Sequence, residues 1–151
     1  MKMEKPQEAV SKALHMPLSF KKSVEVCSSL RGKSVKKALI LLERVSKLKE
    51  SIPFKRYNKG GLGHKVGYGP ARYPVNVCKA MIKLVKDVQA NAEQKGLNKE
   101  SLVISRLMAN KAQKTMHYGR HRGQMKRTHI EIAVVEGKET KKTAPKKEAQ
   151  K

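Results

Sequence analysis

Apolar residues recur at helical spacing in three stretches of this chain and alternate in three others, and the two periods together predict its elements. The clearest stripe is Val77, Met81, Leu84, Val85, Val88 and Ala92, which predicts a long helix entered at Pro74 and stopped by Gly96, with Leu97 making the apolar contact after the stop. The opposite face carries Lys79, Lys83 and Lys86, a basic ridge. Before it, Val35, Ala38, Leu39, Leu42 and Val45 predict a helix capped by Ser34, and Phe20, Val24 and Cys27 predict another capped by Ser19 and ended by Gly32. Alternation at Val10, Lys12, Leu14 and Met16 predicts a first strand closed by Pro17. Leu102 to Ala109 predicts a second, and Ile130, Ile132 and Val134 alternating with His129, Glu131 and Ala133 predict a third.

Two stretches follow neither period. Residues 49–73 hold Pro53, Gly60, Gly61, Gly63, Gly67, Gly69 and Pro70, and a loop of that length in a small domain is usually functional. Residues 110–128 join two strands without a tight turn. If they run as two antiparallel arms of about eight residues each, a rise near 3.3 Å per residue carries the tip roughly 25 to 30 Å from the sheet. This arm offers Gln113, Lys114, Thr115, His117, Gly119, Arg120, His121 and Arg122 in place of apolar residues, so a core cannot hold it and an external mould is expected to. After Glu136 the run of Lys, Ala, Pro, Glu and Gln predicts a disordered basic tail over residues 137–151. The expected organisation is one domain over residues 10–136.

Charge gives the irregular stretches a meaning. The 151 residues hold 35 Lys and Arg against 12 Asp and Glu, a formal net charge of +23, which repels itself unless a partner supplies negative charge. No acid lies between Glu50 and Asp87 or between Glu100 and Glu131. In those windows Lys55, Arg56, Lys59, Lys65 and Arg72, then Lys111, Lys114, Arg120, Arg122, Lys126 and Arg127, have no carboxylate neighbour in sequence. Each cation brought to a phosphate releases condensed counterions, so a phosphate polymer is the expected partner. Tyr57 and Tyr68 add aromatic faces for stacking, with Asn58 and His64 between them, the mixture suited to irregular or single-stranded RNA. A membrane partner is disfavoured by the lack of a long apolar run, and the polar start from Met1 to Lys12 has no signal-peptide layout, so a cytoplasmic protein is expected.

Other chemistries fit poorly. Gly61 and Gly63 open a Gly-x-Gly, but Val66 stands where a third glycine belongs, and no Gly-Lys-Ser/Thr is present. Histidines at 64, 117, 121 and 129 raise a ribonuclease, yet no acid near His117 or His121 is placed to orient a ring. A helix-turn-helix across Gly32 would present Val35, Lys36, Lys37 and Ala38 to base edges, which lack the Asn, Gln or Arg that read them. Cys27 and Cys78 stand apart from any Cys/His quartet, so buried inert thiols are expected, and neither metal nor cofactor.

Several ordered blocks carry a resemblance: Arg31-Gly32-Lys33-Ser34-Val35, Pro53 through Gly60, Gly69-Pro70-Ala71-Arg72-Tyr73-Pro74, Ala90-Asn91-Ala92-Glu93 with Gly96-Leu97, and His129-Ile130-Glu131-Ile132. In this order, from about Lys12 to Glu136, they resemble the universal large-subunit ribosomal protein family numbered twenty-two, called seventeen in eukaryotic naming. The Pro53 to Pro74 segment resembles the insertion of its archaeal and eukaryotic branch. The resemblance implies an α+β fold of three helices packed on a three-stranded antiparallel sheet, with a long hairpin, and a non-enzymatic constituent of the large ribosomal subunit that supports assembly. The implied partners are large-subunit rRNA, neighbouring large-subunit proteins and, at the arm, the nascent polypeptide in the exit tunnel. On this view Lys55, Arg56, Tyr57, Asn58, Lys59, His64, Lys65, Tyr68, Arg72, Lys111, Lys114, Arg120, His121, Arg122, Lys126 and Arg127 bind RNA. Met116, His117, Tyr118, Gly119 and Arg120 form the tunnel tip. The segment from Lys111 to Thr128 is several residues shorter than is usual for the family, and its tip matches the Arg/Gly-rich pattern loosely. The contrasting class is a free-standing nucleic-acid-compacting or chromatin-type DNA-binding protein.

Overall fold

A computed structural model describes residues 7–137. The main sheet has the order β1-β6-β5, with β1 at Glu8–Met16, β5 at Leu102–Lys111 and β6 at Thr128–Glu136, all antiparallel. Its inner face is set by Ile130, Ile132 and Val134 of β6, all buried as their alternation predicts. Register then decides the neighbours: Ala9, Ser11 and Ala13 pair with Val134, Ile132 and Ile130, so these residues of β1 share the core face. The strand expected from Val10, Lys12, Leu14 and Met16 is present, with Lys12 and Leu14 on its outer face and Leu14 64% exposed. One extra residue between Ala13 and Met16, where His15 takes φ 52, brings Met16 back to the core. A second bulge at Ser105 lets Ile104 and Leu107 face inward together, which simple alternation forbids. Ala133, expected outside, is buried because Val10 and Arg106 flank it in register on either side.

Three helices cover the inner face: α1 at Phe20–Leu30, α2 at Val35–Ser46 and α3 at Val75–Gln94. The predicted stripes are the buried ones, Val77 to Ala92 on α3 and Val35, Ala38, Leu42 and Val45 on α2. Ser19 and Ser34 occupy the N-cap positions without a side-chain cap bond, and Pro74 stands one residue earlier than expected, at the N-cap of α3. α1 packs on β5 and α3 on β1 and β6, whereas α2 rests chiefly on α3 and meets the sheet mostly through it. Gly32, at φ 77, turns α1 into α2 and also guards a sheet edge. Its N–H donates to the Ile104 carbonyl at 3.0 Å, and the Ile104 N–H donates to the Lys33 carbonyl at 3.0 Å. The open side of β5 is thus paired to its own chain.

The expectation of an unstructured loop over residues 49–73 is corrected. It contains a second three-stranded antiparallel sheet, in the order β2-β4-β3, formed by Ile52–Pro53, Gly69–Arg72 and His64–Lys65. Strands of two to four residues are too short to show a period, and their pairing runs through backbone, which side-chain pattern does not report. Ile52, Phe54 and Ala71 are buried, so the insertion shares the core. Gly137 is still fastened, its N–H donating to the Ser101 carbonyl at 2.9 Å; the tail expected beyond it lies outside the described residues.

Candidate nucleic-acid interface

The interface begins where α1 starts. Lys21 and Lys22 sit in the first turn of that helix, which has no acidic residue there. Cations at a helix N-terminus oppose the macrodipole, so this end of the helix is electrostatically incomplete without an anion. Against it lie two other segments. From one side the insertion brings Arg56, Tyr57, Lys59, Gly60 and Arg72, and these line a cavity of about 580 Å³ with Ser19, Lys21, Lys22, Phe54 and Lys126. From the other side the root of the arm brings Lys111, Lys114, Lys126 and Arg127, lining a second cavity of about 410 Å³ with Leu18, Ser19, Phe20 and Lys21. A third, of about 380 Å³, runs from Ser19, Lys22 and Lys126 towards Tyr73 and the start of α3. Ser19 and Lys126 line all three, so the cavities form one trough. Among the described residues its lining holds no Asp or Glu.

The cations of the trough are not neutralised by acids of the chain among the described residues, although Arg127 donates to the His15 carbonyl at 3.1 Å. The ion pairs among the described residues are Lys12 and Arg106 with Glu131, Arg106 with Glu8, Lys36 with Glu100, Arg44 with Glu50 and Lys99 with Glu93. None involves a trough residue. Most of these pairs are well exposed and worth little to stability. Their effect is to place the acids away from the trough. Aromatic rings position the trough cations: Arg56 lies 5.5 Å and Lys21 5.9 Å from the centroid of Tyr57, and Lys111 lies 6.0 Å from that of Phe20. Arg72 donates to the Gly61 carbonyl at 3.0 Å, closing the glycine loop over the trough.

The sequence-predicted residues thus fall into four groups, of which Arg120, His121 and Arg122 lie at the end of the arm. Arg56, Tyr57, Lys59, Arg72, Lys111, Lys114, Lys126 and Arg127 meet in the trough. Lys55 and Tyr68 line a separate hollow with Glu25, Lys33 and Glu50, where the Tyr68 hydroxyl lies 3.4 Å from a Glu50 oxygen. Asn58, His64 and Lys65 are exposed elsewhere on the insertion, with Lys65 5.8 Å from the Tyr73 ring centroid. Tyr57 is not an open stacking face: half-buried, it meets Phe20 edge-on at 6.4 Å between its two cations. Ser19, Lys21 and Lys22 were missed. The signal was present, since two lysines in the first turn after a predicted N-cap defy the usual preference for acids there.

The arm continues β5 and β6 as a thinner hairpin. Ala112 N–H donates to the Arg127 carbonyl at 3.3 Å; further out Met125 N–H donates to Thr115 and His117 N–H to Gly123, both at 2.8 Å. Three steps of the outgoing strand span two of the return between these bonds, a further bulge. Gly119–His121 forms a single 3-10 turn and Arg122 takes φ 35 to reverse the chain. Arg120, His121 and Arg122 are exposed at this end with Met116, His117 and Tyr118, and Tyr118 is 89% exposed. Cys27 and Cys78 are buried, and burial pushes each thiol up to about 12, so neither is a nucleophile at neutral pH.

Fold and trough together define a small, strongly basic α+β protein with a projecting hairpin, its unpaired cations gathered where hairpin, insertion and first helix meet. The chain belongs to the family described as ribosomal protein L22p/L17e, which matches residues 11–145. Among similar proteins, the large ribosomal subunit protein uL22 of Staphylothermus marinus is 41% identical over 145 residues, covering 86% of this chain and 91% of its own. That of Archaeoglobus fulgidus is 38% identical over 118 residues, 76% of each chain. Protein uL22A of Schizosaccharomyces pombe is 36% identical over 141 residues, 87% of this chain and 75% of its own. Relatives thus come from archaea and eukaryotes, the branch to which the Pro53 to Pro74 segment pointed. The chain is accordingly a ribosomal protein and not an enzyme. Among the described residues no helix is long and apolar enough to cross a membrane.

Proposed function

We propose that this chain is a structural constituent of the cytoplasmic large ribosomal subunit that binds rRNA through the trough and supports assembly by holding RNA segments together, while the hairpin threads between RNA helices towards the peptide exit tunnel. The observation that carries the reading is the convergence of unpaired cations from three separate parts of the chain on one trough without a lining carboxylate. Such a surface repels itself until phosphates enter it, and phosphates of different RNA segments can enter from the insertion side and from the arm side at once. Neighbouring large-subunit proteins complete the surroundings of the paired, more ordinary surface. The arm offers RNA and peptide what a tunnel wall requires, a cationic base and an exposed tip bearing Met116, His117 and Tyr118.

Crosslinking of intact, translating ribosomes tests both halves. A photoreactive group at residue 126 is expected to attach to rRNA, and one at residue 118 to rRNA and to nascent polypeptide. Absence of the chain from purified large subunits would sink the whole reading. RNA adducts at both positions without peptide adducts at residue 118 would leave the RNA role and remove the tunnel role. A free-standing DNA-compacting protein predicts instead that the chain stays with duplex DNA and off the subunit.

A further inference from the structure

Glu25 lies on α1 and is 2% exposed, the one charged side chain in the buried class among the described residues. A carboxylate withdrawn from water is costly unless its charge is met. No ion pair among the described residues meets it. Its oxygens instead accept three consecutive backbone N–H groups of the insertion: Lys55 at 3.1 Å on Oε2, Arg56 at 2.9 Å and Tyr57 at 2.7 Å on Oε1. Successive amides turned to one point form an anion-binding concavity, and here the anion is the chain's own.

The arrangement has a directional result. With the three amides turned inward, the side chains of Lys55 and Arg56 are exposed on opposite sides, Arg56 into the trough and Lys55 into the hollow with Lys33 and Tyr68. Tyr57 folds back on Phe20 and is flanked by Arg56 and Lys21. Had the carboxylate been satisfied by a guanidinium, a cation would have been withdrawn from the surface. Satisfied by backbone, it fixes the segment and leaves the side chains of Lys55 and Arg56 without an ion pair among the described residues.

We infer that Glu25 is a positioning residue for polyanion binding: an internal carboxylate that imitates a bound anion, orders the Lys55–Tyr57 backbone before RNA arrives, and so removes the ordering cost from binding. The inference rests on the RNA reading of the interface and adds a device to it. Binding of the full chain to protein-free large-subunit rRNA, titrated over a range of salt, separates the two. Glu25→Gln keeps one acceptor oxygen and turns an NH₂ towards N–H donors, and it should weaken binding about tenfold at every salt concentration with the salt slope unchanged, because no cation is lost. The double variant Lys55→Ala/Arg56→Ala should weaken binding and shallow the slope by about 1.5. Adding Glu25→Gln to that double variant should cost little more, since both cations that the anchor positions are then gone. A full tenfold loss on the double background would show a general structural role and overturn the inference. A double variant that binds as tightly and as steeply as the parent overturns the RNA reading of these residues instead. Amide hydrogen exchange of the parent chain needs no variant and decides the anchoring by itself: Lys55, Arg56 and Tyr57 should be protected relative to Asn58 to Gly61, and equal exchange would refute the anchor.

Discussion

Between residues 49 and 73 the chain leaves the core and returns with Ile52, Phe54 and Ala71 buried beneath it and Glu25 holding three of its amides. Between residues 112 and 127 it leaves again, and Ala112 is the only buried side chain of that excursion. Both segments are basic, the first without an acid after Glu50 and the second without any, yet one is tied to the domain along its length while the other, beyond the Arg127 guanidinium that donates to the His15 carbonyl at 3.1 Å, is held by contacts within its own hairpin. The difference teaches what each can offer a polyanion. The insertion presents cations already fixed in place, so binding need not order them. The arm presents length and reach, and must gain its order from contacts it makes with others.

The largest expected effect follows from the tether. Phe54→Ala removes an aromatic side chain that is 4% exposed in the core cluster and should lower unfolding stability by about 3 to 5 kcal/mol. Tyr118→Ala at the arm tip removes as large a ring from solvent and should stay within about 0.5 kcal/mol of the parent. Denaturant unfolding of the two variants measures the contrast. Equal losses would mean that the arm is part of the cooperative core, and the distinction between tethered and free segments would go.

The second effect concerns the trough that the two segments share. Replacing Arg56, Lys59, Arg72 and Lys126 together by Ala removes cations from both sides of it. RNA affinity near 0.1 M salt should fall about 100-fold and the salt slope should shallow by about 3, one step of roughly 0.7 to 0.9 per lost phosphate contact. Replacing Arg120 and Arg122 at the tip should shallow it by less than 2. A set of trough substitutions that leaves the slope alone would move the interface elsewhere on the surface.

How far each segment was legible in the sequence follows the same physics. Helices α2 and α3 were readable because a stripe of five or more apolar residues repeats over several turns, with Gly32 at φ 77 separating α2 from α1 and Gly96 at φ 74 marking the left-handed stop of α3. Strand β1 was legible as a strand but its facing was not, because Val10 and Leu14 are apolar on the outer face and only the register with β6 assigns the inner one. The strands of the insertion were invisible: β2 and β3 have two residues each, and Gly69 and Pro70 open β4. The cations of the trough were readable as composition, but their convergence was not, since Lys21, Arg56 and Lys126 are distant in sequence. Glu25 was least legible of all, because its partners are backbone amides that leave no trace in residue identity.

The smallest effect is a test of where the core ends. Cys27 lies on α1, the helix that carries the insertion, Cys78 lies on α3, and the arm has no thiol. Burial raises each from 9.0 to about 12. Below pH 9 the thiol is protonated in both folded and unfolded chains and favours neither. As pH rises past 9 the unfolded chain loses its thiol proton while the folded chain keeps it until about 12, so unfolding releases protons and stability falls through that window. Lysines and tyrosines titrate there too, and the comparison that isolates the thiol is between the parent and Cys78→Ala. The parent's lead at pH 8 should narrow by about 1 kcal/mol at pH 10, read from denaturant midpoints at the two pH values. Removing the arm tip should leave that narrowing as it is, because the thiols belong to the body that binds the insertion. A tip deletion that abolished it would show that the arm, too, holds the core closed.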